Sequence, residues 1–300
     1  MLAASWGSSF LFMKVAVQDT HPITIAFGRL AIGALLMLVV LKLEGGAIPT
    51  DRRLLAKLAF LGVVNNAIPF TLFAWSEIWI SAGLASLMNG LVPLFAVLIA
   101  AAMVAEERMS PRRILGVAIG FAGVVIAVGI WEPGFFGGTF LWLGALMAGT
   151  SSLFYAVSIH YGSKHLPKDR PTALAFGQLT FGAVALLPLS VLFSWSAPLP
   201  AAPSLASITL LGLIGSGFAY YLFFRLLPRI GATRISLVTY LIPAFAMFWA
   251  FLVIAEVPTW FNLAGLAVIV AGIALVETRS RAVSPVPTVV AVVAEAERPR

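Results

Sequence analysis

Ten apolar runs, each close to the length of a bilayer-crossing helix, follow one another along this chain with little between them. They occupy residues 2–18, 22–42, 54–77, 82–104, 112–130, 139–160, 171–194, 205–227, 231–254 and 259–278. A hydrocarbon core of ~30 Å takes about 20 helical residues to cross, and every backbone amide inside it must find a partner within the protein. The connections are short and polar or proline-containing, such as DTHP, EERMSPRR and EVPTW. Connections of that length join helices that pack antiparallel. The expected fold is an all-α integral membrane protein of ten transmembrane helices, with the lipid bilayer as its first partner. Composition agrees, since 61% of the 300 residues are hydrophobic and 10% charged, against about 25% charged in a soluble domain. Residues 282–300, rich in Val, Pro and Ala, have nothing to pack on and read as a disordered tail.

The sorting of charge orients the spans. Lys and Arg accumulate in short cytoplasmic loops, and here Lys42, Arg52, Arg53 and Lys57 follow the second run, Arg108, Arg112 and Arg113 the fourth, and Lys164, Lys168 and Arg170 the sixth. Arg225, Arg229 and Arg234 follow the eighth, and Arg279, Arg281, Arg298 and Arg300 the tenth. Of the 19 basic residues only Lys14 and Arg29 fall outside these even-numbered connections. Both termini are therefore expected in the cytoplasm. The same sorting excludes nucleic acid as a partner despite the net charge of +7, because a nucleic-acid binder gathers its basic residues on one soluble face. Met1 opens directly into the first run with neither basic flank nor cleavage site, so that run reads as a structural helix and not a signal peptide.

The chain also repeats itself. PITIAFGRLAIGA at 22–34 and PTALAFGQLTFGA at 171–183 share Pro, Ala-Phe-Gly, Leu and Gly-Ala at the same spacing, with Arg29 standing where the second copy has Gln178. GSSFLF at 7 is echoed by TSSLFY at 150, and GVVNNAIPFTLF at Gly62 by GLIGSGFAYYLF at Gly212. Pro93 and Glu106 are separated as Pro243 and Glu256 are, and Gly-x6-Gly recurs at Gly116 and Gly123 and at Gly265 and Gly272. The repeats cover residues 1–130 and 139–278. Five spans per repeat force the second to enter the membrane from the opposite side, and the loops reverse their charge bias accordingly: EERMSPRR carries Arg where EVPTWFN carries none. Inverted-topology repeats are the architecture of many secondary transporters, in which the two halves exchange conformations to alternate access.

These features together resemble the EamA-type drug/metabolite transporter superfamily. The resemblance lies in the five-plus-five inverted repeat, the WGSSF opening of the first helix (Trp6 to Phe10), the P-x3-AFGRL-x2-G entry to the second and the paired Pro-x12-Glu of the fourth and ninth. It extends over all but the tail, and within the superfamily the chain is most similar to bacterial exporters of amino acids, aromatic ones included, and related metabolites. The resemblance implies a secondary transporter of the bacterial inner membrane, with no cofactor and no enzymatic activity. It also implies a central cavity lined mainly by the first, third, fourth, sixth, eighth and ninth helices. The motifs identify the superfamily and not the substrate.

Polar groups at membrane depth need partners or a wet cavity, and Asn65, Asn89, Tyr155, Tyr220 and Tyr240 lie on those central helices. Ser8, Ser9, Asn66, Ser151, Ser152, Tyr221 and Thr239 accompany them, and interhelical hydrogen bonding is the competing reading for each. Pro93 and Pro243 are expected to kink matched helices and free carbonyls toward substrate, flexing alone being the alternative. Trp75 offers an apolar wall, as do Phe73, Phe223, Phe248 and Trp249, unless they face lipid. Arg29 and Lys14 fall in the outer half of the membrane with Glu77 and Asp19 as available partners. Arg29 either pairs with Glu77 and snorkels, or serves an outer gate that attracts a substrate carboxylate.

Energy coupling leaves a weaker trace. Glu106, Glu107, Glu132 and Glu256 fall at span ends and the three His at loops, so uncoupled flux down the substrate gradient is expected, with proton exchange as the alternative. No G-x4-GK[ST] cradle exists for ATP, no H-E-x-x-H spacing for zinc, and no Cys for a thiolate site. Two rival functions stay open, a gated channel for small solutes and an exporter of lipophilic cations. The Gly-x6-Gly faces suit either packing within a monomer or a weak homodimer.

Overall fold

The computed structural model describes residues 1–103, 110–131, 140–167, 170–195 and 197–277, and among them every regular element is helical. The expected tail, Glu106, Glu107, Arg108, Glu132, Lys168 and the basic residues beyond 277 lie outside the described residues. In chain order the helices are α1 (Leu2–Ala16), α2 (Pro22–Leu43), α3 (Arg52–Leu61), α4 (Ile68–Trp79), α5 (Ala82–Asn89) and α6 (Val92–Met103). There follow α7 (Pro111–Val128), α8 (Leu141–His165), α9 (Pro171–Ser194), α10 (Ala202–Leu210), α11 (Ala219–Ile254) and α12 (Trp260–Glu277). Among the described residues seven helical segments are long and apolar enough to cross a membrane, and Val238–Ile254 and Trp260–Val276 are shorter apolar helices. Leu35, Val184, Leu192 and Phe251 remain 55–68% exposed on the outer surface. In water such a surface would aggregate; against lipid tails it meets matched solvent.

Helix starts follow from local chemistry. Asp51 accepts the Leu54 N–H at 2.7 Å, Ser81 that of Leu84 at 3.0 Å and Ser110 that of Arg113 at 3.3 Å, satisfying donors that an N-terminus otherwise leaves free. Pro22, Pro111 and Pro171 stand in first turns, where no N–H is required.

Three expected spans are interrupted. Between α3 and α4 the backbone widens into a π-helical turn at Gly62–Ala67, and between α10 and α11 into another at Leu211–Phe218, the counterpart position of the sequence repeat. The first lies just before Pro69, whose ring and missing N–H disrupt the normal ladder one turn upstream. The third interruption corrects the expectation of matched proline kinks. Pro93 is the second residue of α6, after a break in which Gly90 and Leu91 bond back only to the carbonyls of Leu87 and Met88, whereas α11 runs through Pro243 with no break at that point. Gly90 in the first copy is replaced by Tyr240 in the second. Only the glycine copy yields a break.

Packing is close wherever glycines meet. A Cβ added to Gly116 of α7 would lie 2.7 Å from the Gly272 carbonyl of α12, and one on Gly123 would lie 3.0 Å from the Gly265 carbonyl. The two Gly-x6-Gly faces thus meet each other within the chain, as small residues do where backbones approach. Trp6 of α1 packs on Phe223 at a ring separation of 5.7 Å, while the adjacent Gly7 abuts Ile242 and Phe245. A straight helix would place Phe223 and Ile242 about 28 Å apart, so α11 doubles back and its two parts pass α1 side by side.

One end of the bundle is tied by Glu44, whose carboxylate takes the Arg225 guanidinium at 2.7 Å and the Thr172 hydroxyl at 2.8 Å. Lys57 donates to the His165 carbonyl at the same end. The opposite end is tied by Asp19, which accepts the Ala201 N–H, and by the Thr24 and Ser194 hydroxyls 2.9 Å apart. The hydrogen bond from Arg225, with that from Thr172, holds the Glu44 carboxyl below its ordinary range. A carboxyl lowered by folding adds stability at neutral pH and loses it as pH falls through the folded value. Between about pH 6 and about pH 3 the wild type should therefore lose more thermal stability than Glu44→Gln, a difference that high salt reduces because the pair is exposed.

Candidate functional site

Arg29 is the centre of the polar interior. It is 4% exposed and sits about two turns into α2, where its Nε donates to Ser216 Oγ at 2.8 Å and Nη2 to the Gly215 carbonyl at 3.2 Å and to Ser9 Oγ at 3.4 Å. The guanidinium carbon lies 3.7 Å from the Phe70 ring centroid, a cation–π contact. The expected pair with Glu77 is not formed. Among the described residues Arg29 neither snorkels nor meets a carboxylate; its partners there are two hydroxyls, a carbonyl, a thioether and an aromatic face.

The π-helical turns explain which groups reach it. Gly215 and Ser216 belong to the turn before α11, and the counterpart turn before α4 presents Asn65 and Asn66. Asn65 Nδ2 donates to Gln178 Oε1 at 3.4 Å and to Tyr220 Oη at 3.3 Å, and Tyr220 donates to Asn66 Oδ1 at 2.6 Å. Gln178 occupies the Arg29 position of the second copy and Asn65 the Gly215 position. Each copy's α2-type helix therefore places its polar side chain on the π turn of the other copy. Only the first copy makes that side chain a cation. Tyr155 of α8 completes the grouping, its ring 6.1 Å from Phe73 and 6.3 Å from Phe70. Trp75 borders the same aromatic cluster and turns its edge to His21 at 5.8 Å.

The structure thus brings Arg29, Asn65, Tyr155 and Tyr220 together around Phe70, with Trp75 beside them. Pro93, Tyr240 and Pro243 gather elsewhere, with Thr239, lining a small cleft against Ile269 and Ile273 of α12. Asn89 ends α5 at the break before that cleft. The Met88 carbonyl beside the break accepts the Ser152 hydroxyl at 2.9 Å as well as the Leu91 N–H at 3.0 Å. Sequence reasoning passed over Gly215, Ser216 and Phe70 as site residues. The signal was present in the alignment of the two copies, where Arg29 matches Gln178 and the turn GSG matches NNA.

Lys14 and Glu77 form a third place. Lys14 Nζ donates to the carbonyls of Glu77 and Ile80 at 2.6 and 2.8 Å, closing the C-terminal turn of α4 with a cation. As an available partner for Arg29 and Lys14, Glu77 was expected at the outer end of its span. It is fully buried, and neither carboxylate oxygen has a hydrogen-bond partner among the described residues. No acid is expected in mid-helix, and Glu77 lies near a helix end; its complete burial there is what the sequence did not predict. Glu256, placed by the left-handed Ala255 (φ 52°), accepts the Ala82 and Gly83 N–H groups at 3.2 and 3.0 Å and caps α5.

Comparison with known proteins places these features in context. The model of the EamA-like transporter family matches residues 1–129 and again 142–278. An uncharacterized transporter of Archaeoglobus fulgidus is 28% identical over 275 residues, covering 90% of this chain and 92% of the relative. A protein of Streptantibioticus cattleyicolor named "Probable terminal-alkyne amino-acid exporter" is 28% identical over 287 residues, 93% of this chain and 92% of that one. The inner membrane transporter YedA of Escherichia coli is 25% identical, with 81% of this chain and 77% of YedA covered. A solved crystal structure superposes with a TM-score of 0.66 at 18% identity, covering 92% of this chain and 94% of the other. That superposition shows a shared fold. The matching family and the named relatives are transporters, not enzymes.

Proposed function

Since the chain belongs to the EamA-like transporter family, we propose that it exports amino acids, aromatic ones among them, or similar small metabolites across a bacterial inner membrane by alternating access. Arg29 carries the reading. A buried cation costs free energy unless an anion meets it, and among the described residues the partners of Arg29 are all neutral. A substrate carboxylate supplies the missing charge, and a planar guanidinium is suited to hold it through two parallel hydrogen bonds. The rings of Phe70, Phe73, Tyr155 and Trp75 supply apolar surface for an aromatic side chain. One relative is named as an exporter of an amino acid.

The proposal includes ten spans in two inverted halves, 1–130 and 139–278, with both termini cytoplasmic. The reciprocal contacts of Arg29 with Gly215 and of Gln178 with Asn65 support that symmetry, as does the tie between the 43–51 connection, Thr172 and Arg225 at one end of the bundle. A monomer or a weak homodimer suffices, because one chain supplies every group named.

The test is uptake of labelled phenylalanine into proteoliposomes without a pH gradient, with and without unlabelled amino acid inside. Saturable uptake accelerated by preloading is expected of a carrier. Uptake proportional to concentration would mark a channel. Export of lipophilic cations is the second reading, favoured by the buried carboxylate of Glu77 and opposed by the neighbouring cations Lys14 and Arg29. Silence with phenylalanine together with saturable uptake of a lipophilic cation would put it first.

A further inference from the structure

Glu77 is the one fully buried acid among the described residues whose carboxylate oxygens lack a hydrogen-bond partner, and nothing in the Arg29 grouping uses it. It lies two residues from the end of α4, at the end of the bundle that Asp19 and Ala201 close. The charges that act on it come from Lys14 of α1, Arg29 of α2 and Glu256 beyond α11. Each of these is engaged elsewhere: Lys14 with two backbone carbonyls, Glu256 with two backbone N–H groups, and Arg29 with Ser216, Gly215, Ser9 and Phe70. From α8 the facing surface is Gly144, set against the Ser76 carbonyl, Trp79 and Ile80, and carries no titratable group. From α5 come Ala82 and Gly83, also without one. His21 meets Trp75, on another face of α4.

An ionised carboxylate withdrawn from water without a counter-ion or hydrogen bonds is costly, while a carboxylic acid is neutral. Ionisable groups inside spans commonly mark proton and substrate pathways. An amino acid carries two charges of opposite sign, and α2 and α4 bury two groups of opposite sign, Arg29 and Glu77, each within range of the other's charge. We propose that Glu77 binds, in turn, a proton and the ammonium group of the substrate, so that export is an exchange of amino acid for protons. This rests on the amino-acid reading above. In the inward-facing state the substrate carboxylate settles on Arg29 while its ammonium replaces the proton on Glu77, which leaves to the cytoplasm. In the outward-facing state the amino acid departs and a proton from outside returns to the carboxylate. The carrier, with Glu77 protonated and neutral, then resets and carries that proton inward. One proton enters for each amino acid that leaves, and neither partner shares Glu77 with the other.

Two measurements test this. Purified protein in lipid nanodiscs, titrated with base, should lose an infrared C=O stretch of a protonated carboxylic acid, and Glu77→Gln should lack that band. Vesicles loaded with phenylalanine and a trapped pH dye, diluted into phenylalanine-free buffer, should acidify inside as phenylalanine leaves. Glu77→Gln should lose the acidification, and Glu77→Asp, which keeps a titrating carboxyl, should restore it. Restoration separates a proton site from a fold-supporting role. Absence of the band in the wild type overturns the proposal, as does phenylalanine efflux without acidification or with acidification that survives Glu77→Gln. If the band titrates but neither phenylalanine nor any other amino acid moves, the cargo assignment fails while Glu77 remains supported as the proton site.

Discussion

Replacing Arg29 by glutamine should lower the apparent affinity for phenylalanine in proteoliposomes by about 10- to 100-fold. Hydrogen bonds to a charged group contribute about 1.5–3 kcal/mol, and each 1.4 kcal/mol is a factor of about ten. Glutamine is also the residue that the second copy places at the same position, and Gln178 is accommodated there by Asn65. The substitution therefore removes the cation while keeping a polar side chain known to fit a π turn. Arg29→Lys keeps the charge but cannot present a planar fork or lie flat on Phe70, so it should recover part of the affinity and not all of it. The pair of variants separates two roles. If Arg29 only braces the π turn through Ser216 and Gly215, both variants lower thermal stability and leave the half-saturating concentration unchanged. If it receives the substrate carboxylate, the half-saturating concentration rises with Gln, rises less with Lys, and rises little for an amine lacking the carboxylate.

The asymmetry between Arg29 and Gln178 was legible in the sequence, and so were the helical class, most of the apolar segments and the Gly-x6-Gly faces themselves, though not that the two faces meet each other. These follow from hydropathy, spacing and repetition, which are one-dimensional signals. What the sequence hid depends on where a side chain goes once the helix is in place. Glu77 reads as an end residue by counting from Trp79, yet α1, α2 and α8 cover that end and leave it no exposed surface. Arg29 and Glu77 read as the obvious pair because their charges are opposite. The backbone intervenes, since a π turn from the other copy reaches Arg29 first and Lys14 is held by the α4 carbonyls. Pro93 and Pro243 read as equivalent because the proline motif repeats, but the residue three positions earlier decides whether the helix breaks.

The second large effect is expected at Gly62 and Gly212, the glycines at which each π turn meets the α2-type helix of the other copy. A Cβ on Gly62 would lie 2.8 Å from the Gln178 carbonyl, the Gly182 nitrogen and the Phe181 Cβ, two backbone atoms and one bound directly to the backbone. None can rotate away. On Gly212 it would lie 2.5 Å from the Ile32 Cβ and 3.2 Å from the Arg29 carbonyl, and a β-branched neighbour is stiff at χ1. Overpacking of this kind typically costs about 1–3 kcal/mol and occasionally more, so Gly62→Val and Gly212→Val should each lower the melting temperature. Gly162→Ala serves as the control, because its added methyl group would meet nothing nearer than the Leu61 Cδ1 at 3.8 Å. Transport should fall further than stability does. The wedge at Gly212 moves the backbone that carries Arg29, and the wedge at Gly62 moves the backbone that carries Gln178. If alternating access depends on the two halves exchanging these contacts, each wedge blocks one of the two states, and counterflow is lost in both variants even at temperatures where the protein stays folded. Equal loss of stability with full counterflow in either variant would mean that the π turns are rigid packing and that the moving parts lie elsewhere.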